Sequence, residues 1–253
     1  MMIWNILILW ISILHVAKAM ASIDVNTSAG NLEVQPRIRH HCSVSKLMDV
    51  NKSLSEQCKR QLRTTPFGWL LNLHCSIEAN GRMLEVMLAS WNANERAFQV
   101  GDRLIPFTLY DVALILRLPV RGEPIDCNQS HVGGFLVEKL LNTHLKIASP
   151  WEQTKLVTLL TKPSIRVQDR VRLYMALVLS YFLFPTTSQK VTTYLLPLLD
   201  NIANLGRYVW GKAVYEFLVS GLNRAAASKQ AKKTRGNLHI QGCTTLLQVK
   251  CFC

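Results

Sequence analysis

Carboxylates, imidazoles and thiols are the side chains in this chain that could act on a substrate, and their spacing argues against catalysis. Asp102 with Asp111, and Glu123 with Asp126, are pairs near enough in sequence to be considered for acid–base work. Asp111 stands three residues after Thr108, the spacing of a helix capping box with Asp in place of Glu or Gln. Asp102 follows Gly101 in a turn dipeptide, so both carboxylates already have backbone roles. The histidines, at 15, 40, 41, 74, 131, 144 and 239, show neither His-x-x-x-His nor His-Glu-x-x-His spacing. His131-Val132-Gly133-Gly134 has a superficial likeness to an oxyanion loop, but no Gly-x-Ser-x-Gly elbow accompanies it. A phosphate-cradling Gly-x-x-x-x-Gly-Lys-Ser/Thr loop is missing, and no lysine sits in a context that suits a Schiff base.

Thiols give the same answer. Seven cysteines, at 42, 58, 75, 127, 243, 251 and 253, form no Cys-x-x-Cys pair, and an odd count argues against an oxidised framework. His40-His41-Cys42 has no second ligand pair at finger spacing, and Cys251-Phe252-Cys253 is too tight for a metal knuckle. The expectation is reduced structural thiols, with no catalytic residues, no metal, no cofactor and no small-molecule substrate.

Charge points to a different class of partner. Lys and Arg number 29 against 16 Asp and Glu, a formal net charge of +13 over 253 residues. Such a surplus suits contact with a polyanion, nucleic acid included. Its one local concentration is Lys229, Lys232, Lys233 and Arg235, read as a basic linker between helices, a candidate nucleic-acid contact and a weak nuclear-localisation patch. Hydrophobic residues at 49% with charged residues at 18% exclude a disordered chain.

The first residues pull the other way. Ile3 to Val16 is an apolar run followed by Ala17-Lys18-Ala19, a small-x-small site, so residues 1–19 resemble a secretory leader. No basic side chain precedes the run, and it is shorter than the about 20 residues of a membrane span. Sequons at Asn26, Asn51 and Asn128 would accept glycans on an exported chain. A leader that plays no part, because translation starts at Met20 or because the first exon is mis-joined, is the favoured reading; export or membrane association through that run is the alternative.

The remaining chain reads as a mainly α protein, a single helical domain with one small β-hairpin. Residues 20–63 look like a flexible polar and basic arm holding at most one helix between Ser43 and Leu62. From there helices are expected over 81–91, where Met83, Leu84, Met87, Leu88 and Trp91 share a face, and over 109–116, 135–145 and 151–160. Val167 to Phe184, apolar on nearly all sides yet too short to span a bilayer, is the expected core helix. Val191–Leu199 and a single helix over 202–227 complete the set, with Gly206 and Gly211 allowing close helix approach beside Trp210. One more element starts at Leu238. The hairpin runs Phe98–Val100, turns at Gly101-Asp102 and returns through Leu104-Ile105, with Pro106 ending the strand. Pro119 stops the helix that begins after Thr108.

Three blocks carry a specific resemblance. Thr65-Pro66-Phe67-Gly68-Trp69-Leu70-Leu71 is followed by Thr108-x-x-Asp111-Val-Ala-Leu-Ile-Leu-x-Leu118-Pro119-Val-x-Gly122-Glu123-Pro124. Then Tyr194-Leu-Leu-Pro197-Leu-Leu-Asp200 leads into Gly206-Arg-Tyr208-Val-Trp210-Gly211-Lys-Ala-Val214. In this order the blocks resemble the plant mobile domain, also called the aminotransferase-like plant mobile domain, over residues 64–253 with the C-terminus cut short. Arg117 stands where that family usually has Gly, and Lys250 to Cys253 replace a Trp-rich continuation. The resemblance implies a non-catalytic nuclear protein, related to transposable elements, that acts in transposon silencing, gene regulation or meristem development by binding unknown protein partners or nucleic acid. It marks Thr108, Asp111, Pro119, Pro197, Asp200, Tyr208, Trp210 and Gly211 for fold integrity and a partner surface.

Overall fold

Several helix starts in this chain are set by short polar side chains, and the computed structural model shows them at work. It describes residues 38–73, 79–125, 135–145, 151–162, 164–231 and 238–252. A short strand β1 (Ile38–Arg39) leads to α1 (Val44–Ser53) and α2 (Glu56–Arg63). Ser43 accepts the Lys46 amide at 3.5 Å and Ser55 accepts the Cys58 amide at 3.4 Å, satisfying donors that the first helical turn leaves orphaned. A 3-10 segment Gly68–Asn72 precedes α3 (Gly81–Ser90), whose Asn80 cap accepts two amides. Strands β2 (Trp91–Asn92), β3 (Ala97–Val100) and β4 (Arg103–Pro106) form an antiparallel sheet, so the expected hairpin gains a third strand. Gly101 turns it with φ +62°, a conformation cheap for glycine.

Helix α4 (Leu109–Leu116) follows at once, then α5 (Phe135–Leu145), α6 (Gln153–Leu160) and α7 (Val167–Leu177). The last relaxes into a π-helical turn, Val178–Leu183, closed by the Phe184 amide on the Leu179 carbonyl at 2.8 Å. This is the expected core helix; Leu173 to Leu179 are all fully buried. Arg170, 8% exposed, binds the Leu160, Lys162 and Ile165 carbonyls at the end of α6, where a cation complements the helix dipole. Two 3-10 segments, Thr193–Leu199 and Ile202–Arg207, lead to α8 (Trp210–Gln230), strand β5 (Leu238–His239) and α9 (Thr244–Phe252). Strand β5 lies parallel to β1, joining the two ends of the described chain.

Two expectations need correction. Residues 38–63 are not part of a flexible arm: Leu47, Val50, Leu54, Cys58 and Leu62 are in the core, at three- and four-residue spacing on one stripe. The polar residues between them cover the outer faces, which is why the segment's composition misleads. Tyr174 of α7 donates to Asn51 at 2.7 Å, and Asn51 in turn donates to the Leu70 carbonyl at 2.8 Å. Asn51 is 7% exposed, so this sequon is occupied by packing in the folded chain. Second, the helix expected over 202–227 is split, because Tyr208 and Val209 leave helical geometry to pair with another segment. The leader 1–19 and the expected arm up to residue 37 lie outside the described residues.

Candidate binding surface and the signature junction

Thr108 and Asp111 lie at the start of α4, and Pro119, Tyr208, Trp210 and Gly211 gather beyond its end. At its start the capping box is present: Asp111 Oδ2 accepts the Thr108 amide at 2.7 Å and the Thr108 hydroxyl at 3.0 Å. The other carboxylate oxygen of Asp111 receives Lys250 Nζ at 2.6 Å, with both side chains largely covered. Lys250, which in sequence lies past the familiar pattern, thereby ties α9 to α4.

At the other end Arg117 takes φ +49°, ψ +33°, the left-handed conformation of a helix C-cap. That is the backbone a glycine adopts without strain, which explains the residue type the family usually has there. The chain then runs Leu118 to Glu123 against the start of α8. Gly211 donates to the Pro119 carbonyl at 2.9 Å, Glu123 to Arg207 at 2.7 Å and Val209 to Glu123 at 2.9 Å, a short parallel ladder. A Cβ at Gly211 would sit 3.1 Å from the Pro119 oxygen; one at Gly122, where φ is +133°, would sit 2.1 Å from the Arg207 oxygen. Gly206, expected to allow a close approach, faces open space instead.

Trp210 sits at the centre of this junction. It is fully buried, donates through Nε1 to the Leu205 carbonyl at 2.8 Å, and meets the Phe67 ring edge-on at 5.1 Å. Tyr208 and Phe184 complete the aromatic surround. All three sequence blocks therefore meet here, Phe67 against Trp210 and Pro119 against the neighbouring Gly211. Pro197 and Asp200 are elsewhere, in and after the segment Thr193–Leu199, where Asp200 donates its amide to Pro197 and its carbonyl accepts from Arg172 at 3.3 Å.

The carboxylates named in the sequence that lie at this junction are engaged in ion pairs. Asp111 is held by Thr108 and Lys250, and Glu123 pairs with Arg207 at 2.5 Å. Asp126 lies outside the described residues. Burial pushes the thiol of Cys243 well up, and Cys42, Cys58 and Cys243 are buried and outside any disulfide. Among the described residues no group of three His, Cys, Asp or Glu side chains could hold a metal ion, and no helix is long and apolar enough to cross a membrane. Lys229 is exposed in the last turn of α8; Lys232, Lys233 and Arg235 lie outside the described residues. On α4, Tyr110 and Leu114 are 76% and 78% exposed, one turn apart.

The family described as "Domain of unknown function (DUF8566)" matches residues 40–248. Three curated proteins of Arabidopsis thaliana are similar. Protein MAINTENANCE OF MERISTEMS is 26% identical over 193 residues, covering 72% of this chain and 39% of that protein. Protein MAIN-LIKE 1 is 25% identical over 240 residues, 89% of this chain and 45% of its own length. Protein MAIN-LIKE 2 is 26% identical over 194 residues, 72% and 28% respectively. The chain thus spans less than half the length of each curated relative it matches. These relatives carry the plant mobile domain, in agreement with the sequence resemblance, and none is named as an enzyme. No solved structure matches.

Proposed function

The chain belongs to the DUF8566 domain family, and we propose that it is a non-catalytic binding protein of the nucleus, acting through protein or nucleic-acid contacts in transposon silencing, gene regulation or meristem development. The observation that carries this reading is how the signature residues are used. Trp210, Gly211, Pro119, Gly122 and the Thr108–Asp111 cap are packed or bonded to one another or to the backbone, so they hold the surface in shape and leave no group free for chemistry. Further support comes from the names of the similar proteins, which concern meristem maintenance, and from the +13 net charge.

The experiment is localisation with a biochemical arm. Full-length chain and a chain starting at Met20, each carrying a C-terminal fluorescent tag, are expected to give nuclear signal in plant cells. Glycosidase-sensitive mobility of the full-length chain would instead establish export through the 1–19 run. For the nucleic-acid arm, affinity for a labelled oligonucleotide should fall steeply as salt rises, because each neutralised phosphate releases counterions; salt-insensitive binding would overturn that arm.

A further inference from the structure

The π-helical turn at the end of α7 builds a second feature, separate from the signature junction. A π turn shifts the carbonyls out of the normal helical ladder, and such turns recur at functional sites. Here the released carbonyls accept from outside the helix. Ser180 takes Gln153 Nε2 at 2.8 Å, Tyr181 takes the Ser43 amide at 3.1 Å, and Phe182 takes the Cys42 thiol at 3.4 Å. The segment His40–Ser43 is thereby pinned over the turn. Between it, α1 and the Gln189 loop lies a cleft of about 250 Å³ lined by His41, Ser43, Lys46, Gln153, Tyr181 and Gln189.

No carboxylate lines this cleft, and its one charged lining side chain is Lys46. Lys46 Nζ stands 4.8 Å from the centre of the Tyr181 ring, and His41 stacks on His239 at 5.9 Å, bringing β1 and β5 together side by side. His239 belongs to the wall of a neighbouring cleft of about 260 Å³ that also holds Arg224 and Ser228 of α8, next to Lys229. Burial holds the pKa of His41 below the usual histidine value, and the positive charge of His239, His40, Lys46 and Arg39 lowers it further. The nearby carboxylates are already engaged: Glu152 pairs with Lys190, and Glu85 accepts the Ile38 amide. His40 donates through Nε2 to the Ala79 carbonyl at 2.9 Å, while His40 Nδ1 and His239 Nδ1 are buried without a hydrogen-bond partner among the described residues.

We propose that the paired clefts around His41, Lys46 and His239 form a phosphate-binding groove that seats the backbone of a nucleic-acid strand. This rests on the nucleic-acid arm of the function given above and assigns the surface through which it works. Lys46 lines the cleft of His41, Arg224 lines the cleft of His239, and the two rings stack, so positive charge is spread over two neighbouring clefts, which fits a polyanionic chain better than a single carboxylate. A phosphodiester stabilises imidazolium, so binding strengthens as pH falls and His41 takes up its proton, and weakens as His41 loses it.

The test measures a fluorescent oligothymidylate binding to the full chain by anisotropy, at about pH 8 and about pH 6, over a range of salt. Wild-type protein should bind several-fold more tightly at the lower pH. Lys46→Glu, on an exposed side chain, should weaken binding at both pH values and make the salt dependence shallower by about one unit of slope. His41→Gln should remove most of the pH dependence while leaving the melting transition cooperative. Lys229→Glu serves as the comparison outside the stacked pair. If the oligomer binds and Lys46→Glu and His41→Gln change nothing, the groove is wrong while the nucleic-acid reading stands. If the oligomer fails to bind at either pH, both fail. Inorganic phosphate perturbing the His41 and His239 resonances without any oligomer binding would also overturn the proposal, since it would mark a free-anion site.

Discussion

The Gly211 amide and the Pro119 carbonyl meet at 2.9 Å, and this contact joins the start of α8, in the third sequence block, to the proline that follows α4, in the second. It requires the α8 backbone to approach Pro119 and Val120 more closely than a side chain on residue 211 would tolerate without a shift of a few tenths of an ångström.

Gly122 is the stricter case. Its φ is +133°, and a Cβ there would stand 2.1 Å from the Arg207 oxygen, which forbids any side chain. Gly122→Ala should cost about 3 kcal/mol or more in urea unfolding, from backbone strain plus overpacking. Gly206→Ala, in open space, should be neutral or stabilising by a few tenths of a kcal/mol. Equal effects at the two sites would contradict the junction.

Arg117 occupies a left-handed C-cap without being glycine. Arg117→Gly should raise stability by about 0.5–1 kcal/mol, the relief of left-handed strain less the entropy that glycine adds to the unfolded chain. Thermal unfolding reads this as an increase in Tm; a decrease would mean that the Arg117 side chain makes a stabilising contact of its own.

The Asp111–Lys250 pair is half-enclosed, with side-chain exposures of 16% and 21%. Asp111→Ala should cost more than Lys250→Ala, about 1–2 kcal/mol, because it also removes the cap on α4. A double-mutant cycle should return a coupling of at least about 0.5 kcal/mol; additivity would show the contact to be energetically idle.

Residues 38–63 can be tested by truncation. A chain beginning at residue 38 should unfold cooperatively by circular dichroism, and one beginning at 64 should not, since it lacks α1, α2 and their core residues. Tyr174→Phe in the longer chain should cost about 1–3 kcal/mol by leaving the buried Asn51 carbonyl without its donor. Burial already holds the Tyr174 hydroxyl protonated far into the alkaline range.

His41 sets a pH trend. Its folded pKa is depressed, first by burial and then by His239, so below about 6.5 the unfolded chain binds more protons than the folded one. Stability should therefore fall as pH drops through that window, and His41→Gln should flatten the curve. An unchanged slope in the variant would place the effect on another group.

Local signals suffice where one short stretch decides its own conformation. The Thr108–Asp111 cap, the Gly101 turn, the spans of α3, α5 and α7, and the mainly α class all follow from side chains within a few residues of one another. The family order of the blocks is also visible along the chain, although the contacts of Phe67 with Trp210 and of Pro119 with Gly211 are not. Composition misleads at α1 and α2, because a helix with one buried stripe is mostly polar, and a count of residues does not distinguish it from a solvated arm.

Other features depend on partners far away in the chain. The 208–209 break exists because Glu123 offers backbone pairing there that continued helix would forgo. Lys250 gains a role through Asp111, and His41 acquires its neighbours only when β1 meets β5. Periodicity and propensity act over one or two turns, so the order of residues is enough for the family and for elements such as α3 and α5 that no distant segment interrupts. Bringing cations, carbonyls and rings together from opposite ends of the chain is a property of packing, and packing alone sets the left-handed backbone at Arg117 against α8 and the groove beside the π turn.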